Sequence, residues 1–188
     1  MDRIALLMLV LGFLTFAAVG FGQRLAAEEF PHDPKQAVFP PVKGSNLNEK
    51  EFQLPQDFEG ELNLVLMAYV QRQQFDVNTW LPLAAQLKNE VEGLRYYELP
   101  VLATYAPAAQ KFIDNGMRSG IPDPAVRAIT ITLYINQKSF LKALHLESMD
   151  SIHAVLVDRK GRVYWKAEGR LTPEKEASLR AAIWAARK

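Results

Sequence analysis

The sequence has no cysteine, three histidines among 188 residues, and a formal charge of only +1. Each absence removes a class of chemistry. Without a thiol there is no disulfide, no thiolate nucleophile and no thiolate metal site. Thiol redox chemistry is excluded, and so is lipidation at a bacterial lipobox cysteine. His32, His145 and His153 are too scattered for a metal signature, and no HExxH or paired acidic motif accompanies them. No metal and no other cofactor is expected. Lys plus Arg number 22 against 21 Asp plus Glu, so nothing points to nucleic acid or an anionic surface as the main partner. The chain also lacks the GxxxxGK[ST], GxSxG and GxGxxG motifs. Its Ser and Lys residues show no arrangement that supports nucleophilic catalysis.

What is present begins with an apolar leader. Residues 1–22 hold sixteen apolar residues, and positions 4–21 carry no charge. A cleaved signal has an apolar region of about 7–15 residues, whereas a membrane span needs about 17–25. Small residues at Ala18, Gly20 and Gly22 suit cleavage; the uninterrupted length suits an anchor. Both readings place the protein outside the cytoplasm or on a membrane, exported or held by its N-terminus. Residues 23–43 read as a connector, because Pro31, Pro34, Pro40 and Pro41 favour extended geometry. The remainder, 44–188, is of a size for one domain.

That domain shows alternating strand and helix signals. Gly44-Ser45-Asn46-Leu47-Asn48 is turn chemistry, and Phe52-Gln53-Leu54-Pro55 reads as a short edge strand. Leu62–Val70 is a nearly continuous apolar run, the mark of a strand buried on both faces. Val77, Trp80, Leu81, Ala84, Leu87 and Val91 then recur at helical spacing, with Pro82 near the first turn or at a kink. Leu94–Leu99 reads as a second strand closed by Pro100. Residues 106–118 read as a helix with Ala109, Phe112, Ile113 and Met117 inward. A loop at Pro122-Asp123-Pro124 precedes a strand over 128–134, and 137–144 is a short helix. Ile152–Val157 and Arg162–Ala167 form a hairpin around Asp158-Arg159-Lys160-Gly161. Thr172-Pro173-Glu174 starts the last helix as N-cap, Pro at the first position and early acid. This order predicts an α/β fold with a mixed central sheet flanked by helices.

The hairpin Val155–Trp165, with Gly169 and the Thr172-Pro173-Glu174 helix start, resembles thioredoxin-like proteins in their elaborated, peroxiredoxin-like form. More narrowly, it is similar to the mitochondrial ATP synthase assembly factor family, a cysteine-free branch of that fold. Asn78-Thr79-Trp80 with Pro82, Met117–Pro122 and Phe140–Leu144 agree with the same family. Its members face the mitochondrial matrix, so an export-type leader departs from the pattern. The resemblance implies that a redox dithiol would follow the first buried strand. Gln71, Arg72, Gln73, Gln74 and Phe75 stand there instead. It also implies a cis-proline before the hairpin, where Asp150-Ser151-Ile152-His153 has none.

The candidate binding cleft is therefore Gln71, Arg72, Gln73, Gln74, Ser151 and His153. Gln71–Gln74 read either as the lining of a cleft for a peptide or protein, or as a solvated loop capping a buried strand. Arg72 offers an anion contact at a helix N-terminus. His153 reads as a hydrogen-bonded structural residue or as a ligand or base. Trp80 is expected in the core, and one of Tyr164 and Trp165 at the surface. Asp158 is explained by turn geometry. The expected function is that of a non-catalytic binding or assembly protein, redox-inactive and membrane-associated. Its expected partner is a protein, including a membrane complex, with residues 4–21 in the membrane if the leader is retained. The alternatives are an enzyme or small-ligand binder using non-thiol chemistry in the same cleft, and a structural scaffold for oligomers.

Overall fold

The computed structural model describes residues 37–187; the leader, most of the connector and His32 lie outside that range. Leu62–Ala68 (β3) is the strand that its apolar run predicts. Val65 and Met67 point into one core and Leu62, Leu64 and Leu66 into the other, so both faces are buried. The remaining strands are Val42–Asn46 (β1), Glu51–Leu54 (β2), Leu94–Leu102 (β4), Ile131–Tyr134 (β5), His153–Val157 (β6) and Val163–Glu168 (β7). They form one seven-stranded sheet in the order β2-β1-β5-β4-β3-β6-β7. β3 and β4 run parallel, as do β4 and β5, while β1, β2, β6 and β7 each pair antiparallel with their neighbours. The sheet is mixed, as expected.

Helices Gln74–Glu90 (α1) and Pro173–Ala186 (α5) cover one face, burying Val77, Trp80, Leu87, Leu179 and Ile183. Trp80 is fully buried, and its indole Nε1 donates to the Gly169 carbonyl at 3.0 Å. The other face is covered by Gln137–Ala143 (α4) and by Phe39 and Phe58. Phe39 packs edge-on against Phe58 and Phe140, with centroids 5.5 and 5.4 Å away. Packing thus reaches upstream of residue 44, because a proline-rich segment can still carry a core aromatic. Pro107–Gly120 (α2) and Pro124–Ile129 (α3) link β4 to β5. Among the described residues, no helix is long and apolar enough to cross a membrane.

Several element boundaries differ from the sequence reading. Gly44, Ser45 and Asn46 belong to β1, and the turn follows them. Glycine serves close approach there: a Cβ on Gly44 would stand 2.8 Å from the Thr132 carbonyl oxygen. Pro82 lies well inside α1, where its missing N–H removes the helical donor to the Asn78 carbonyl. Pro100 does not close β4. It sits opposite Ala68, where pairing with β3 ends, and Val101 and Leu102 continue against β5. Ala128 and Ile129 end a helix rather than start a strand, because Asp123 caps that helix at the Ala125 N–H, 2.8 Å away, and Pro124 opens it. The inward face predicted for α2 is also corrected. Ala109 is exposed, Phe112 is 58% exposed, and α2 buries none of its residues. Polar ties hold it instead: Tyr134 donates to Asp114 at 2.9 Å, and Arg118 donates to the Leu47 carbonyl at 2.8 Å.

Candidate functional site

β3 leaves the sheet at Tyr69 and Val70, passes through a single turn at Gln71–Gln73 and enters α1. Apolar β3 needs a polar exit, and Gln73 makes that exit rigid. Its side chain is only 3% exposed as a residue; Oε1 accepts from the Tyr69 N–H at 2.7 Å, and Nε2 donates to the Met149 carbonyl at 2.7 Å. The loop before β6 is thus tied to the β3 exit by one carboxamide. Both of its polar ends are used, as burial requires.

His153 lies beyond that tie. It is 2% exposed, with Nδ1 2.8 Å from the Tyr69 hydroxyl and the two rings edge to face. Burial lowers the basicity of the imidazole; Glu168 opposes that effect and Lys166 adds to it. Burial, reinforced by Glu168, pushes the Tyr69 phenol up. At neutral pH the pair is an uncharged hydrogen-bonded unit where β3 leaves the sheet beside the start of β6. Ser151 is half-buried on the same loop. Ile152 is fully buried, and its carbonyl accepts from Gly169 N–H at 2.8 Å. The cis peptide among the described residues is Leu54–Pro55, at the end of β2 rather than before β6.

Gln71, Arg72 and Gln74 face a different space. They line a cavity of about 480 Å³ bounded by the start of α1, the ends of β3 and β4, and the α2–α3 turn. Its walls are apolar, with Ala68, Phe75, Leu81, Met117, Ile121 and Val126 prominent. At its base Glu98, 8% exposed, accepts a hydrogen bond from Gln74 Nε2 at 2.9 Å. The six candidate residues therefore divide. Gln71, Arg72 and Gln74 border the cavity, whereas Gln73, Ser151 and His153 are not among its lining residues.

Sequence reasoning missed Glu98, Met117 and Ile121 as lining. The signal for Glu98 was a carboxylate inside a largely apolar strand, at the same parity as Leu94 and Tyr96. Asp158 is structural, as read: its Oδ1 accepts from Lys160 and Arg162 N–H at 2.8 and 2.9 Å. Neither Tyr164 nor Trp165 is exposed in the sense expected. Both are half-buried, the first donating to Asp158 and the second to Ser178. Among the described residues, the exposed aromatics are Phe75, Tyr105, Phe112 and Trp184. Among the described residues, no group of three or more His, Asp or Glu side chains is placed to hold a metal ion.

The chain matches no protein-family model and no curated protein. Solved structures do match. One is a protein from Aquifex aeolicus provisionally assigned to electron transfer, with TM-score 0.55 and 10% identity over 80% of this chain and 97% of that one. A second Aquifex aeolicus structure, provisionally assigned to electron transport, gives TM-score 0.55 and 11% identity over 81% and 98%. A third is BsSco, described as a member of the Sco family of cytochrome c oxidase assembly proteins. It gives TM-score 0.50 and 15% identity over 82% and 98%. At such identities the likeness is one of fold. The chain has a thioredoxin-like α/β fold and carries no cysteine.

Proposed function

We propose that this protein is a non-catalytic thioredoxin-like binding or assembly protein, held at or beyond a membrane, of the kind represented by the mitochondrial ATP synthase assembly factors. The observation that carries this reading is the β3–α1 junction. Where the fold's redox members place a dithiol, this chain places Gln73, fully engaged with Tyr69 and Met149. A carboxamide so used cannot exchange electrons, and it fixes the junction as a rigid platform. Beside the platform stand the exposed Phe75 and the guanidinium of Arg72, residues of the types enriched where proteins meet. BsSco, described as belonging to a family of assembly proteins, has the same fold, so the fold is compatible with that role. The apolar run 4–21 supports a membrane location.

The test is site-resolved photocrosslinking of the full-length protein in its native membrane. A crosslinker replacing Phe75 is expected to trap one reproducible protein partner. The same group at Arg159, in the β6–β7 turn at the opposite end of the sheet, is expected not to trap it. Equal products from both positions, or none from Phe75, would overturn the proposal.

A further inference from the structure

The cavity between α1 and the α2–α3 turn has a chemistry that the partner-binding reading does not use. Its volume, about 480 Å³, falls among small-molecule sites, which run from about 300 to 1,000 Å³. Polar side chains on its lining are bonded within the protein. Gln74 Nε2 donates to Asn78 Oδ1 at 3.1 Å and to Glu98 Oε2 at 2.9 Å. Thr130 Oγ1 donates to the Val126 carbonyl at 2.9 Å, and Asp123 Oδ1 caps α3. These bonds hold the walls together and leave an occupant chiefly side-chain carbon to touch, from Leu81, Met117, Ile121 and Val126. α2 brings Met117 and Gly120 to this space, yet it buries none of its own residues. The floor strands are paired on both sides, β3 between β4 and β6, and β4 between β3 and β5. An extended peptide would need a free strand edge, and the floor offers none.

We infer that this cavity binds a small, uncharged apolar molecule, whose body fills the space between Leu81 on α1 and Met117 on α2. Such an occupant gains by exchanging water for carbon walls and has no charge to desolvate. A charged molecule of the same shape must give up its water against those walls, which is unfavourable unless the charge is paired. Arg72 and Asp123 are exposed lining residues of opposite charge, so the exposed charges of the lining favour neither sign. The occupant also supplies apolar contact beneath α2, so binding steadies that helix. Occupancy of the cavity and capture of a protein partner are separate events, and either can fail alone.

The test uses naphthalene as the neutral probe, with 2-naphthoate and 2-naphthylmethylammonium as its charged counterparts. Met117 is a built-in reporter: it lines the cavity, whereas Met67 and Met149 belong to the core layer covered by α4. Full-length protein with isotope-labelled methionine methyl groups is titrated in mild detergent at pH 7 and followed by nuclear magnetic resonance. Free probe concentrations are fixed by equilibrium dialysis. Naphthalene is expected to shift the Met117 methyl signal saturably while Met67 and Met149 stay in place. Each charged counterpart is expected to bind about tenfold or more weakly. Leu81→Trp fills the cavity from half-buried Leu81 and is expected to remove the Met117 shift at a melting temperature near that of the parent. Amide exchange on the parent keeps the test decisive if that variant folds poorly. At about ten times the dissociation constant, naphthalene is expected to slow exchange across residues 107–120 by about tenfold. An unmoved Met117 signal at the solubility limit, equal movement of Met67 and Met149, or a charged probe that binds as tightly as naphthalene would each overturn the inference. So would a shift that survives Leu81→Trp, or unchanged exchange across residues 107–120.

Discussion

Gln73 shows how one side chain can replace a chemical function with a mechanical one. Removing its carboxamide leaves the Tyr69 N–H and the Met149 carbonyl without their partner, each in a buried setting. An orphaned buried group costs about 1–3 kcal/mol. Gln73→Ala is therefore expected to lower stability by about 2–4 kcal/mol, or roughly 5–12 °C in melting temperature for a domain of this size. Arg72→Ala, at an exposed neighbouring position, is expected to stay within about 0.5 kcal/mol of the parent. Thermal unfolding followed by near-ultraviolet circular dichroism separates the two. His153 adds a pH dependence of known sign. Its imidazole titrates below its ordinary value of 6.5 because burial disfavours the cation. The unfolded chain therefore takes up the proton first as pH falls. Stability is fully present above pH 6.5 and is lost as pH drops through that value and then through the lower folded one. A melting curve repeated from pH 7.5 to 5 is expected to show this loss, reduced in His153→Gln. A parent protein more stable at pH 5 than at pH 7.5 would contradict the assignment.

Among the elements, α2 is the least secured by apolar burial. Its spacing of Ala109, Phe112, Ile113 and Met117 resembles a core-facing stripe, yet Ala109 and Phe112 stay at the surface and only Ile113 and Met117 are half-buried. Periodicity reports that a helix has an apolar side; it does not report what lies opposite. Burial raises the Asp114 carboxyl above its usual range, and hydrogen bonding from Tyr134 partly offsets this. That hydroxyl is thus a main tie of α2 to β5. Tyr134→Phe is expected to raise amide exchange across residues 107–120 by about tenfold, the effect of losing one hydrogen bond of about 1.4 kcal/mol, while β3 and β6 stay protected. Phe112→Ser is expected to change the melting temperature little. Strands and capped helices were legible for local reasons: β3 is apolar on both faces, Gly161 takes positive φ in the hairpin turn, and Thr172 caps α5. The start of β5 was not, because the strand propensity of β-branched Ile129 and Thr130 was outweighed by the Asp123 cap, which opens the six-residue α3 just before them.

In the whole molecule, two apolar layers grip one sheet, and Phe39 shows that the chain leading into β1 belongs to that grip. Phe39→Ala opens a cavity between Phe58 and Phe140 and is expected to cost about 3–5 kcal/mol in thermal unfolding. An unchanged melting temperature would show that this segment is dispensable. The candidate site was legible only in part. Position after the first buried strand picked out Gln71, Arg72 and Gln74, which do line the cavity, but it also grouped them with His153. The Gln73–Met149 tie lies on the other side of the β3 exit, and no local pattern signals it. Glu98 and Ile121 meet across the cavity only because β4, α1 and the α2–α3 turn pack together, which is long-range information. The central claim is that this end of the molecule binds a protein rather than performing a reaction. The most direct measurement isolates the full-length protein with its partner from native membranes and compares an Arg72→Glu, Phe75→Asp double variant with Arg159→Glu. The expected result is about tenfold loss of partner from the double variant, at an unchanged melting temperature, with full retention by Arg159→Glu. Equal retention by both variants would contradict it.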